Sequence, residues 1–222
     1  MPAEVKICGL MRPVDAAVAA QAGARYLGVV LAPSQRQLQP LQARDVLDGD
    51  TARVSTRVGV CALTDPTQLA AAAHAADLDV LQLIHPLDHA EWQAVRESFS
   101  GEIWGVVRLA PDRDTASGWA AWEQADAIVL DAFAPNALGG TGTAFDWSWA
   151  ARTVESLRVG KRLVVAGGLT PDNVGQAIDT LVPDVVDVSS GVERVVGEKS
   201  AERIAAFMQA ATGRKSGQEK RP

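Results

Sequence analysis

With 222 residues, 47% of them hydrophobic, the chain is long enough for one sizeable core and is neither a small stapled module nor a large multidomain assembly. Its 21 basic and 27 acidic side chains leave a formal charge of -6, the wrong sign for gripping a phosphate backbone, so nucleic acid is excluded as a partner class. The longest run free of charged residues, 132–145, has 14 residues rich in Gly, Thr and Ala, which excludes a membrane-spanning helix and, with it, a membrane partner. The opening MPAEVKICGL has no charged segment leading into an apolar stretch and cleavage site, so a cytoplasmic protein is expected. Cys8 and Cys61 are the only cysteines and lack C-x-x-C spacing, which suits a reducing compartment and makes a conspicuous cysteine a candidate for chemistry.

Apolar runs rich in Val, Ile and Leu recur at even spacing, and they are continuous rather than alternating, the pattern of strands covered on both faces. In chain order the predicted strands occupy residues 5–8, 26–31, 57–63, 80–84, 103–109, 127–131, 163–166 and 185–189. Segments with helical periodicity follow them in turn, at 13–22, 41–47, 67–75, 89–98, 116–124, 147–157, 171–180 and 201–211. Pro13 and Pro171 fall near first-turn positions, where a missing N–H costs nothing, and Asp146 precedes its helix as an N-cap. Eight such repeats pair in parallel through right-handed crossovers, and they fit a closed α/β (β/α)8 TIM barrel better than the alternative, a doubly wound open sheet. The single barrel domain is expected to span 1–212. Residues 213–222 carry four basic side chains against one Glu and read as a mobile polar tail.

Active sites of such barrels lie at the C-terminal ends of the strands. Cys8 ends the first strand, and Gly9 lets the chain turn away behind it. Lys6 lies two residues earlier, on the same face and roughly 6.6 Å along the strand. At an effective dielectric near 20 that separation is worth roughly 2.5 kcal/mol to a thiolate, so thiolate formation is expected to be favoured. Position alone leaves a buried packing cysteine as the other reading. Asp131 closes the sixth strand after Ala-Ile-Val-Leu, on a different side of the ring, and reads either as an acid–base partner of Cys8 or as a cap for its loop.

Glycine-rich turns follow strands six, seven and eight: Gly139-Gly140-Thr141-Gly142, Gly167-Gly168 and Ser190-Gly191. Glycines let amides approach an anion, loops seven and eight are the usual phosphate grip, and a short helix start after strand eight would add its dipole. A phosphorylated small molecule is therefore the expected partner. Arg36, in the loop after strand two, offers a planar fork for a carboxylate, or is simply solvated. Asp187 is flanked by Val186 and Val188 inside strand eight, where a charge needs a partner; Lys6 is the candidate, since strands eight and one adjoin in a closed ring.

Taken together, Lys6-Ile7-Cys8-Gly9-Leu10, Ser34-Gln35-Arg36, Leu130-Asp131 followed by the run from Gly139 to Trp147, Ala166-Gly167-Gly168-Leu169 with Asn173-Val174, and the run from Val186 to Glu193 resemble the phosphoribosylanthranilate isomerase family almost end to end. The resemblance implies an Amadori rearrangement of N-(5-phosphoribosyl)anthranilate in tryptophan synthesis, with neither a cofactor nor a metal. It implies Asp131 as the general acid on the furanose ring oxygen, Cys8 as the general base at C2, Arg36 on the anthranilate carboxylate and Asp187 near the substrate amine. The phosphate would fall to Gly167, Gly168, Ser190 and Gly191, and Gly140, Thr141 and Gly142 would contribute substrate contacts. Monomer and homodimer are both left open.

The chain departs from the family at three points. Gln82-Leu83-Ile84-His85-Pro86 displaces a histidine by one residue, which reverses the side it faces in a strand; Gln35 replaces a common proline, and Leu63 a common asparagine. Competing readings are a non-catalytic phosphosugar-binding barrel and a related phosphosugar isomerase. A metal-dependent epimerase wants clustered ligands that His74, His85 and His89 do not provide, and a redox pair of Cys8 and Cys61 would join strands that are not adjacent.

Overall fold

The structure, a computed structural model, describes residues 2–108, 115–131, 151, 154 and 160–213. Eight parallel strands close into a barrel in sequential order: β1 (Glu4–Ile7), β2 (Tyr26–Val30), β3 (Thr56–Cys61), β4 (Val80–Leu83), β5 (Glu102–Arg108), β6 (Ala127–Asp131), β7 (Arg162–Ala166) and β8 (Val185–Val188). The ring is sealed where β1 meets β8, with Lys6 opposite Asp187 in register. Around it lie α1 (Pro13–Gln21), α2 (Pro40–Leu47), α3 (Pro66–Ala75), α4 (His89–Ser98), α5 (Thr115–Ala120), α6 (Val174–Leu181) and α7 (Ala201–Thr212). The closed ring, rather than the open sheet, is the fold.

Continuous apolar strands are explained by two cores, one on each face of the sheet. Inside the ring, Tyr26, Val58, Val80, Trp104, Ala127, Val129, Val164 and Val185 form one cluster, with the Tyr26 and Trp104 rings meeting edge to face at 5.0 Å. Outside it, Ile7, Leu27, Cys61, Leu81, Ile103, Ile128, Leu163 and Val186 pack under the helices. Alternation then dictates which way every other strand residue points. Ala127 and Val129 face inward, so Asp131 does too; Val58 and Val60 share a face, so Cys61 faces the helices.

The end of the barrel where the strands begin is built for stability. Asp79, Asp126 and Asp184 each sit just before or at a strand entry and accept the N–H of Arg57, Ile103 and Leu163 in the neighbouring strand, at 2.8, 2.7 and 2.7 Å. Arg162 closes the floor, paired with Glu4 and Glu102 and lying over the Tyr26 and Trp104 rings. Helix entries follow local chemistry: Pro13 and Pro66 occupy first-turn positions, Asp88 and Glu91 form a capping box, and Ser200 accepts from the Arg203 N–H.

Most boundaries agree with the sequence reading within two residues, and three features differ by more. Helix α6 begins at Val174, three residues after Pro171, because the Asn173 side chain accepts the Thr170 N–H at 2.7 Å and holds residues 171–173 in a turn. The fifth helix stops at Ala120 and continues as tight turns that close from Trp122 to Trp119 and from Ala125 to Trp122. After β8 there is no regular helix start: residues Ser190–Val192 make a single 3-10 turn, followed by a small hairpin of β9 (Glu193–Val195) and β10 (Glu198–Lys199). Of the segment at 147–157, only Ala151 and Val154 are described, both helical. Asp146, the 139–142 turn and the tail beyond Gly213 lie outside the described residues.

Gly105 in β5 marks a tight packing point. A β-carbon there would run into the indole of Trp122, which is 2% exposed and meets Trp92 edge to face at 6.2 Å. Gly105→Ala is expected to cost about 1–3 kcal/mol, read as an earlier midpoint in urea unfolding with an unchanged slope.

Candidate active site

The C-terminal rim gathers the chemistry from β1, β2 and β8. Gly28 in β2 leaves the space that Cys8 and Lys6 fill: a β-carbon on it would lie 3.0 Å from the Cys8 Sγ and 3.1 Å from the Lys6 Nζ. Both side chains therefore project into the barrel. The Cys8 N–H donates to the Val188 carbonyl at 2.8 Å and the Leu10 N–H to that of Gly28 at 3.0 Å, so the backbone stays clamped between its neighbours past the end of β1. At Gly9 the chain takes φ +68, a left-handed value suited to glycine, and a side chain there would collide with the Arg36 Cδ at 2.6 Å and the Ser189 Oγ at 2.7 Å.

Lys6 is fully buried and donates to the Asp187 Oδ2 at 2.9 Å. This is the partner that a carboxylate inside a strand required. The other carboxylate oxygen, Oδ1, is buried and finds no hydrogen-bond partner among the described residues, as does the Gln82 Oε1 of β4. Burial works against the Lys6 ammonium, but Asp187, with Cys8 assisting, raises its pKa above the ordinary lysine value.

The direction of the Cys8 shift runs against the thiolate expectation. Burial pushes the Cys8 thiol above the ordinary thiol range, and although Lys6 and Lys199 pull it back, Asp187 pushes it up again. The two-residue spacing to Lys6 was sound; the charge it supplies is shared with Asp187 and set against desolvation that no spacing reveals. Cys61 belongs to the outer core, 1% exposed, and burial alone takes its thiol up to about 12. The two sulfurs lie on opposite faces of the sheet, which rules out a bridge between them in this fold.

Arg36 is not simply solvated. The Ser34 hydroxyl accepts its N–H at 3.1 Å in a local turn, and its guanidinium reaches Glu193 in β9, Nε to Oε1 at 2.7 Å and Nη2 to Oε2 at 2.5 Å. Glu193 also accepts from the Lys199 Nζ at 3.0 Å and the Gly197 N–H at 3.2 Å. Burial would raise its carboxyl, but the hydrogen bonds and charges of Arg36 and Lys199 prevail and hold it at about 2. The sequence reading quoted Glu193 at the end of a motif without giving it a part; its signal was a carboxylate directly after the Ser-Ser-Gly-Val turn.

Gly168, Leu169, Thr170, Pro171, Asp172, Ser190, Gly191 and Arg203 line an open cavity of about 540 Å³ between the loops after β7 and β8. Gly167 and Gly168 have φ +92 and +66, and nothing lies within 4 Å of where a Gly168 β-carbon would be, so conformation rather than room requires glycine there. Gly191 is the reverse case: a side chain would strike the Leu169 carbonyl, so its bare backbone is what lets the two loops dock. Arg203 on the wall of this cavity was missed by the sequence reading.

Asp131 ends β6, half-buried and inward-facing by alternation, with Arg108 and Ala166 as its register neighbours. Two strands separate it from β1 on one side of the ring and four on the other. His85 is exposed just beyond β4, in keeping with the one-residue displacement, and Leu63 lies past the end of β3. Gly140, Thr141 and Gly142 lie outside the described residues. No group of three or more His, Cys, Asp or Glu side chains among the described residues is arranged to hold a metal ion, and no described helix is long and apolar enough to cross a membrane.

The family model for N-(5'-phosphoribosyl)anthranilate (PRA) isomerase matches residues 5–210, from β1 into the last helix. The chain belongs to the PRA isomerase family. It is 39% identical over 217 residues to the N-(5'-phosphoribosyl)anthranilate isomerase of Pseudomonas aeruginosa, covering 97% of this chain and 98% of that one. Its fold is similar to the crystal structure of phosphoribosyl anthranilate isomerase from Thermotoga maritima, with a TM-score of 0.81, 32% identity and coverage of 95% and 99%. A further solved PRA isomerase, in complex with reduced 1-(o-carboxyphenylamino)-1-deoxyribulose 5-phosphate, is similar at a TM-score of 0.79 with 30% identity, again over 95% and 99%. Membership of the PRA isomerase family thus extends over the whole barrel, rim included.

Proposed function

We infer that this chain isomerises N-(5'-phosphoribosyl)anthranilate to 1-(2-carboxyphenylamino)-1-deoxy-D-ribulose 5-phosphate, a step of tryptophan biosynthesis. The observation that carries the reading is a barrel matching the PRA isomerase family from end to end, with a thiol just past β1 and a carboxyl group at the end of β6 both facing inward at the C-terminal rim. In this reading Asp131 gives its proton to the furanose ring oxygen as the C1–O bond breaks, and the anthranilate nitrogen supplies the electron pair for a protonated Schiff base. The Cys8 thiolate then removes the C2 proton; the C–H electrons form the C1–C2 double bond and the iminium electrons return to nitrogen. The resulting enolamine then tautomerises: its C2 hydroxyl loses a proton, the O–H electrons form the C2=O bond, and the electrons of the C1–C2 double bond take a proton at C1, giving the ketone.

Several features support this division of labour. The iminium charge both acidifies the C2–H and adds a cation near Cys8, offsetting the burial that raises its thiol. The Asp187 Oδ1, which has no partner among the described residues, suits the substrate's N–H, Arg36 its carboxylate, and the cavity between Gly168 and Gly191 its phosphate. Freshly generated phosphoribosylanthranilate supplies the direct test: its fluorescence should decay on adding the protein, and a stable signal with folded protein sinks the reading along with its Cys8 and Asp131 assignments.

Because the base form of Cys8 lies above the ordinary thiol range in the free enzyme, kcat/KM should climb with pH between about 6 and 9. Cys61→Ala should keep that slope, since Cys61 faces the helices. A profile that is flat across this interval contradicts a Cys8 thiol raised above its ordinary range.

A further inference from the structure

Among the described residues, the hairpin of β9 and β10 is a part of the rim that the chemistry above leaves unused, and it carries two buried charges. Glu193 is 5% exposed and Lys199 5%, whereas the Arg36 side chain keeps 22% of its surface accessible. The carboxylate thus lies beneath the guanidinium, on its closed side. Lys199 anchors the arrangement twice, donating to Glu193 and, at 3.1 Å, to the Ser189 carbonyl at the end of β8. Its backbone N–H in turn donates to the Asp15 carboxylate of α1 at 3.1 Å, tying the hairpin to the first helix.

A guanidinium has five N–H donors, and Glu193 occupies the Nε–H and one Nη2–H. The remaining donors, two on Nη1 and one on Nη2, have no partner among the described residues and form a second fork of the kind that fits a carboxylate. The Arg36 stem lies across Gly9, directly beside Cys8, so that fork is presented at the same rim as the thiol. The trio of Arg36, Glu193 and Lys199 sums to one positive charge, so a substrate carboxylate is still attracted.

We propose that Glu193 is the positioning residue that fixes Arg36 with one edge clamped and the other open, so that the substrate's carboxylate meets a fork already set at the right angle beside Cys8. The proposal rests on the reading of Arg36 as the carboxylate-binding residue. Its physical basis is preorganisation: a free arginine loses rotamer freedom when it binds, and a carboxylate beneath it transfers that loss from the binding step to folding. Two effects oppose each other when Glu193 is neutralised. Arg36 regains freedom, which weakens binding, while the rim gains a positive charge, which strengthens it. The Arg36 side chain keeps 22% of its surface accessible, so solvent screens part of the charge gain and the loss of geometry prevails.

The test compares Glu193→Gln, Glu193→Asp, Arg36→Ala and the double variant Arg36→Ala/Glu193→Gln in steady-state kinetics. Inhibition constants for the reduced product analogue, which bears the carboxylate, and for inorganic phosphate, which does not, are measured alongside. Glu193→Gln should raise KM and the analogue's inhibition constant about 3- to 10-fold with a smaller change in kcat. The phosphate constant should stay put, Glu193→Asp should recover part of the loss, and the double variant should match Arg36→Ala alone. If Arg36→Ala leaves KM unchanged, the carboxylate reading of Arg36 fails and this proposal falls with it. If Arg36→Ala raises KM while Glu193→Gln does not, or lowers it, only the positioning role is overturned. Weakened phosphate binding in Glu193→Gln, or an effect additive with Arg36→Ala, marks Glu193 as a purely structural strut and overturns the proposal as well.

Discussion

Cys8→Ser lowers kcat by about 10²- to 10⁴-fold, the range set by loss of a positioned general base, while the reduced product analogue still binds within a few-fold of its original affinity. Serine is close in size, so the packing against Gly28 and the Lys6 ammonium survives. What disappears is an ionisable group: a hydroxyl beside Lys6 does not deprotonate in the neutral range, so nothing takes the C2 proton. A cysteine kept for packing would behave differently, costing some thermal stability and leaving turnover intact. A Cys8→Ser enzyme with near-normal kcat therefore refutes the base assignment, and parallel thermal melts separate the two cases.

Asp131→Asn should be comparably severe, about 10²- to 10⁴-fold in kcat, but through the other half of the reaction. An amide has no proton acidic enough to transfer to the ring oxygen, so the furanose stays closed and C2 never becomes acidic. Deuterium at C2 distinguishes the two lesions. In Cys8→Ser, removal of the C2 hydrogen becomes the slow step and the isotope effect is fully expressed; in Asp131→Asn, ring opening limits and the effect is suppressed. The same isotope effect in both variants contradicts separate acid and base roles.

Much of the fold was legible because parallel strands buried on both faces leave a strong local signature. Residues 127–131 and 89–98 match β6 and α4 to the residue, and Asp131 and Cys8 could be placed at the rim by counting strand ends. The failures are equally specific. Pro171 marked a plausible helix start, but the Asn173 side chain took the Thr170 N–H and delayed the helix to Val174. The hairpin of Glu193–Val195 and Glu198–Lys199 is too short and too charged to leave a strand signature, and its stability comes from contacts with Arg36, Ser189 and Asp15.

By itself, the order of residues determined which side chains stand at strand ends and, through two-residue alternation, which of them turn toward the barrel's interior. Both depend only on neighbours along the chain. Tertiary structure alone decided how those groups are charged and held. Lys6 and Asp187 are 181 residues apart, and Arg36 and Glu193 are 157 apart, yet closing the ring makes each a hydrogen-bonded pair. The Cys8 thiol shows the difference most sharply: a lysine two residues away favours its anion, and desolvation inside the finished barrel outweighs that attraction, because the cost of removing a charge from water depends on everything packed around it.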